Sequence, residues 1–162
     1  MEGISFRPMD IVTAEQVTSW RYPPPYHVYN VYPDAHTFSH LLDGSFFVAT
    51  RGEQLLGFFC YGQHAQVPHA ATLGLYQPGR TDFGLAMCPE FVGQGMGGAF
   101  VQAGMEFGRQ LFELPFRLTV AQFNKRAIAV YLNQGFVPHK SFLTPDGRGF
   151  VIMLEQLAKR TV

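Results

Sequence analysis

The chain has 162 residues, is 47% apolar and 15% charged, and sets 12 Lys and Arg against 12 Asp and Glu. That composition describes one globular domain with a real core and excludes a disordered chain. A net charge of zero argues against nucleic acid as a partner, because phosphate binding needs a basic surface, and no apolar run reaches the roughly 20 residues of a membrane span.

The first residues, Met1 to Arg7, lack the charged start and apolar stretch of a secretion signal. Cys60 and Cys88 form no CxxC pair, so both are expected to stay reduced in a cytoplasmic protein. Phe6-Arg7-Pro8 closes a short first strand, and Ile11 to Trp20 reads as a helix. The segment Trp20-Arg21-Tyr22-Pro23-Pro24-Pro25-Tyr26-His27-Val28-Tyr29 cannot be helical through its prolines. Helix resumes over His36 to Leu42. Ser45 to Thr50 and Gln54 to Tyr61 flank Arg51-Gly52-Glu53, a hairpin signal. A loop rich in His, Gln, Pro and Gly then leads to a strand over Phe83 to Met87.

Met96 to Phe112 is the clearest helix, with Gln102, Glu106, Arg109, Gln110 and Glu113 at helical spacing and apolar residues covering the rest. Phe116 to Val120 is a strand. Asn124 caps a helix through Ile128, Tyr131 and Leu132, which Gly135 stops. Phe136 to Leu143 and Phe150 to Gln156 are two closing strands. The order predicts one α/β domain (α+β in detail), a mixed and mostly antiparallel sheet flanked by helices.

Four glycines fall in the six residues Gly93-Gln94-Gly95-Met96-Gly97-Gly98, between a strand and the long helix. Closely spaced glycines let backbone approach a ligand, and free N–H groups at a helix start attract an anion such as a pyrophosphate. The glycines at 93, 95 and 98 also satisfy GxGxxG. A dinucleotide fold, however, places that motif at its first strand and an acidic residue at the end of the next; here the loop lies past mid-chain and the next strand ends Thr119-Val120-Ala121-Gln122. The Lys-Ser/Thr of a P-loop is absent too.

Cys88 to Gly97 resembles the acyl-CoA pyrophosphate loop of the GNAT superfamily of N-acetyltransferases, Arg/Gln-x-x-Gly-x-Gly/Ala after a strand and a proline. Asn124 to Phe136 is similar to the same family's Asn-x-x-Ala…Tyr…x-x-Gly-Phe segment, and the Arg148-Gly149 turn with the strand after it fits the closing strand loosely. The likeness covers residues 45 to 156 well and the first 40 poorly. On it, residues 1–162 form a single acetyltransferase domain, with 1–44 a divergent acceptor-side region and 45–156 the acyl-CoA-binding core. One departure stands out: Val92 occupies the family's Arg/Gln position.

The resemblance implies acetyl-CoA as acyl donor, no metal, and a small-molecule or peptide primary amine as acceptor, with neither nucleic acid nor membrane as partner. The oligomeric state is left open, a homodimer included. Backbone groups of Leu85, Ala86 and Met87 would pair with the pantetheine arm, and an N–H there would polarise the thioester carbonyl. Backbone N–H groups of Val92, Gly93, Gln94, Gly95, Met96, Gly97 and Gly98 would hold the pyrophosphate, and Asn124 would reach the pantetheine. Tyr131 would protonate the departing thiolate; as a residue on an apolar helix stripe it would otherwise simply be core. Asp82 is a candidate base, with His27, His64, His69 or a water chain as other options. The aromatic residues Trp20, Tyr22, Tyr26 and Tyr29 supply the candidate acceptor wall. A non-catalytic acyl-CoA sensor is the competing reading from another class.

Overall fold

The computed structural model describes residues 2–157; the remaining residues of the one-domain expectation lie outside that range. Seven strands form one sheet: β1 (Ile4–Pro8), β2 (Phe46–Arg51), β3 (Gln54–Tyr61), β4 (Thr81–Met87), β5 (Phe116–Ala121), β6 (Phe136–Leu143) and β7 (Gly149–Glu155), in the order β1-β2-β3-β4-β5-β7-β6. Every neighbouring pair is antiparallel except β4 and β5. The β2–β3 hairpin turns at Gly52, whose φ of 60° explains the glycine. The mixed, mostly antiparallel sheet is therefore as the sequence predicts.

Two layers of helix cover it. On one face lie α1 (Ile11–Val17) and α2 (Ala35–Leu41), each started by an aspartate: Asp10 accepts from the Thr13 N–H and Asp34 from the Thr37 N–H. The first helix stops at Val17 rather than continuing to Trp20, with Thr18 as its C-cap and the Thr18 hydroxyl on the Ala14 carbonyl at 2.9 Å. On the other face lie α4 (Gly97–Leu111) and α5 (Lys125–Asn133). The sequence region read as a plain loop contains a 3-10 turn at Gln63–Ala65 and a short helix, α3 (Pro68–Thr72), with Pro68 in its first turn.

Strand alternation sorts the core between the faces. Phe47, Ala49, Phe59, Tyr61 and Phe83 pack with α4 and α5, while Phe46, Val48, Phe58 and Cys60 pack with α1 and α2. Helix α4 lies flush on the sheet because two of its core-facing residues are glycines. A Cβ on Gly104 would meet Phe59 Cε1 at 2.2 Å, and one on Gly108 would meet Tyr61 Cε1 at 2.6 Å. The first contact is a fully buried ring that stacks on Phe83 at 5.7 Å, so it has nowhere to move. Gly104→Ala is therefore expected to lower the free energy of unfolding by about 1–3 kcal/mol, as overpacking does, read from a shift in the urea midpoint. An unchanged midpoint would mean that the helix slides without cost.

Candidate active site

The parallel pairing of β4 with β5 covers only Thr81↔Phe116 and Asp82↔Arg117. Beyond those two residues β4 runs on to Met87 paired with β3 alone, so its other edge opens into a cleft. Which peptide groups face that opening follows from two hydrogen bonds. The Gly62 N–H donates to the Asp82 carbonyl at 2.7 Å, and the Cys88 N–H donates to the Leu56 carbonyl at 2.8 Å. Both are on the β3 side, so the peptide groups of Gly84 and Ala86 turn that way too, and those of Leu85 and Met87 turn to the open edge. Ala86 is thus corrected: its backbone belongs to the sheet, and the groups left to pair with an added strand are those of Leu85 and the Met87 N–H, the Met87 carbonyl being taken by the Tyr22 hydroxyl.

The cleft holds about 890 Å³ and gathers most of the sequence-predicted residues: Tyr22, Tyr26 and Tyr29 on one wall, Leu85 to Met87 at the floor, Val92, Gly93, Gly95, Gly97 and Gly98 at one end, and Asn124 and Tyr131 from α5. At the glycine end, Gly93 and Gly95 have φ of 79° and 77°, and nothing lies within 4 Å of an ideal Cβ on Gly95. Met96, the N-cap of α4, offers no side-chain acceptor, which leaves the first N–H groups of a fifteen-residue helix free. One loop residue behaves otherwise than the sequence reading supposes. The Val92 N–H donates to the Pro89 carbonyl at 3.3 Å, which withdraws it from anion binding. Gln94 folds back, its Nε2 donating to the Glu90 carbonyl at 2.7 Å.

A guanidinium stands beside the glycine loop. Arg126, in the first turn of α5, lies 3.2 Å from an ideal Cβ on Gly93 and stacks over the Tyr26 ring at 5.0 Å. Arg126 has no assigned role in the sequence reading; its one signal there is a guanidinium following the Asn124 cap in a chain whose glycine loop has no cation. Asn124 is an N-cap in fact: its Oδ1 accepts from the Ala127 N–H at 3.1 Å, while its Nδ2 donates to the Tyr29 hydroxyl at 3.2 Å.

Tyr131 is 9% exposed, packs edge-on against Phe136, and lines the cleft. Among the described residues its hydroxyl has no hydrogen-bond partner. Burial, then the nearby Tyr29, pushes its pKa well above that of an ordinary phenol, so it keeps its proton at neutral pH. Tyr22 donates to the Met87 carbonyl at 2.7 Å, tying the acceptor-side segment to the open edge of β4. Trp20 is corrected: it stacks on Phe58 at 6.1 Å among the core residues under α1 and does not line the cleft.

Asp82 also moves. It lies within β4, 5% exposed, and shares two hydrogen bonds with Arg117: Nε to Oδ1 at 2.7 Å and Nη2 to Oδ2 at 2.8 Å. Gln66 Nε2 donates to Oδ2 as well, at 2.8 Å. Both carboxylate oxygens are engaged and neither faces the cleft, which is structural work rather than that of a base. Of the histidines, His27 lines a smaller hollow beside Phe123, and His69 sits on α3 away from the cleft; His64 lines the cleft itself.

The sequence of residues 14–136 matches the model of the acetyltransferase (GNAT) family. The chain belongs to that family. No curated protein matches it, but its fold is shared with solved structures. It is similar to a spermidine N-acetyltransferase from Vibrio cholerae, in complex with CoA and spermine, at 16% identity over 96% of this chain and 97% of that one, with a TM-score of 0.70. A GNAT-family acetyltransferase from Bacillus anthracis gives 15% identity over 94% of both chains and a TM-score of 0.71. The ribosomal-protein-S18-alanine N-acetyltransferase of Escherichia coli gives 16% over 98% of both and a TM-score of 0.63. These likenesses establish the acetyltransferase fold. Among the described residues no helix is long and apolar enough to cross a membrane, and no group of His, Cys, Asp and Glu is arranged to hold a metal ion.

Because Arg117 is itself only 5% exposed, Asp82→Asn leaves a buried guanidinium without its counter-charge. The expected loss is about 3–5 kcal/mol of unfolding free energy, measured by urea titration. A variant of parental stability would return Asp82 to the set of candidate bases.

Proposed function

We propose that this GNAT-family chain is an acetyl-CoA-dependent N-acetyltransferase acting on a primary amine. The observation that carries the reading is the parting of β4 from β5, which opens a strand edge directly between an uncapped, glycine-led helix and the Tyr131 hydroxyl. The residues fit the donor. Leu85 offers its N–H and carbonyl and Met87 its N–H to an extended arm, the loop from Gly93 to Gly98 leaves room and N–H groups for a pyrophosphate, and Arg126 adds a positive charge beside it. When bound, acetyl-CoA supplies an activated thioester. An N–H of the open edge stabilises negative charge on the carbonyl oxygen, and Tyr131, protonated at neutral pH, holds the proton that the leaving sulfur needs.

The acceptor wall narrows the amine. Tyr22, Tyr26, Phe46 and Phe58 line it, and among the described lining residues there is no Asp or Glu. A polyamine brings several positive charges into the site and needs carboxylates to meet them; this wall offers rings and imidazoles. The preferred acceptor is a monoamine with an apolar or aromatic body, even though the Vibrio cholerae relative acts on spermidine. A sensor that binds acyl-CoA without turnover has no use for an unbonded phenol facing the cleft, and the enzyme reading is favoured for that reason.

Gly95→Val tests the donor site. The φ of 77° costs a branched residue roughly 1–2 kcal/mol, too little to unfold a domain, but its side chain projects into the open space left for the pyrophosphate. The parent is expected to gain roughly 2.7 kcal/mol from acetyl-CoA at 100 times its Kd, seen as a thermal shift, and the variant to lose that shift while melting as one domain. An undiminished shift in the variant places the pyrophosphate elsewhere.

Tyr131→Phe tests the chemistry. It keeps the ring on Phe136 and leaves the loop alone, so stability and donor affinity should hold. Thiol release with phenethylamine as acceptor should fall by up to about 10²-fold, and less with a donor whose thiol is more acidic. Parental turnover of spermidine exceeding that of phenethylamine would sink the monoamine assignment.

A further inference from the structure

An amine acceptor arrives as an ammonium at neutral pH, and its nitrogen has no lone pair to attack with until a proton has gone. With Asp82 engaged by Arg117, the cleft needs another base. On the α1–α2 face, Phe46, Phe58, Cys60, Gly84 and Ala86 share one side of the sheet by register. The turn Gln63–Ala65 packs down onto that side, with Ala65 Cβ 3.2 Å from an ideal Cβ on Gly84. Ala65 thus sits against β4 at Gly84, two residues before Ala86, and its neighbour His64 lines the cleft. Its Nε2 lies 2.6 Å from Asp43 Oδ2. Hydrogen bonds from the Ser45 hydroxyl and N–H, together with His64, outweigh the opposing effect of burial and hold Asp43 below the ordinary carboxylate range, so it stays charged. The His40 ring stacks on His64 at 4.0 Å and His36 meets His40 at 4.2 Å, while Phe46 covers another side at 5.9 Å. Burial, then the charges of His64 and His36, lowers the His40 pKa and keeps that ring neutral beside its neighbour.

We propose that His64 is the base that deprotonates the acceptor amine, oriented by Asp43. The assignment rests on the N-acetyltransferase reading and adds the missing catalytic group to it. Asp43 accepts the Nε2–H and so fixes the tautomer that leaves a lone pair on Nδ1. The ammonium passes one proton to Nδ1, its freed lone pair forms the C–N bond to the acyl carbon, and the C–S bond breaks with its electron pair on sulfur. The second nitrogen proton goes to that sulfur by way of Tyr131, and His64 returns its own to water, one proton released per amide formed. Asp43 is a positioning residue. His40 screens the imidazole and, being neutral, does not oppose its protonation.

The test compares two acceptors of one shape and different basicity at pH 8: phenethylamine, still an ammonium, and 2,2-difluoro-2-phenylethylamine, whose nitrogen is already neutral. With acetyl-CoA as donor, His64→Gln is expected to lower kcat/KM for phenethylamine by about 10²-fold or more and for the fluorinated amine by less than tenfold. Asp43→Asn should show the same selectivity with a smaller loss. Added imidazole should restore part of the phenethylamine rate to His64→Ala. Equal losses on both amines, or no loss on either, overturn the assignment and leave the transfer reading standing. A parent that binds acetyl-CoA and acetylates neither amine brings down the monoamine transfer reading, and this assignment with it.

Discussion

The site exists because two strands part at a fixed place, and a buried ion pair fixes it. Asp82 and Arg117 are register partners in the second and last pair of the β4–β5 ladder. Burying both charges is costly unless their nitrogens and oxygens find partners, and here each has at least one. Arg117 gives Nε and Nη2 to Asp82 and Nη1 to the Gln77 carbonyl at 2.8 Å, with the Tyr76 ring stacked at 5.2 Å. A pair so completely engaged allows no slippage of one strand along the other. What lies beyond it, the free edge at Leu85 and Met87 and the helix start that faces it, inherits its position from that vertex.

The two sides of the cleft differ in what makes them, and that decided how well each could be read from residues alone. The donor side is built of backbone. A glycine cluster before a long amphipathic helix announces it, and the Asn124 cap and the Gly135 stop behave as their local chemistry dictates. Even there the face of each peptide group needed the strand's true start: with β4 begun at Thr81 the alternation assigns Ala86 to the sheet, whereas a strand begun at Phe83 gives no partner from which to count. The acceptor side is built of side chains from distant parts of the chain, which carry no local pattern. Trp20 looked like a pocket residue because aromatics favour pockets, but a bulky indole beside α1 finds Phe58 first.

Asp82 shows the same limit from another direction. A carboxylate between a turn and a strand reads as surface, since aspartate is poor in strands. Its partner is 35 residues later and has no sequence signature. Arg126 and the row of imidazoles on His64 were hidden likewise: their meaning comes from a glycine, a tyrosine and an aspartate brought close by the fold. Short elements were missed for a simpler reason. Helix α3, five residues long, is held by Pro68 at its start and by packing of Ala70 against Phe142 and Ile152, not by periodicity.

The Tyr22 and Tyr29 contacts carry a consequence for how the molecule is made. Tyr22 bonds Met87 across 65 residues, and Tyr29 bonds Asn124 across 95. The acceptor wall therefore leaves the ribosome before its anchors and has no final position until they have been synthesised. Closing loops of that length costs entropy before any contact repays it. The Pro-rich segment must wait, exposed with its tyrosines and prolines in water, until the later strands and α5 are present to receive it. Vectorial synthesis thus builds the acceptor-side wall before the residues that seat it.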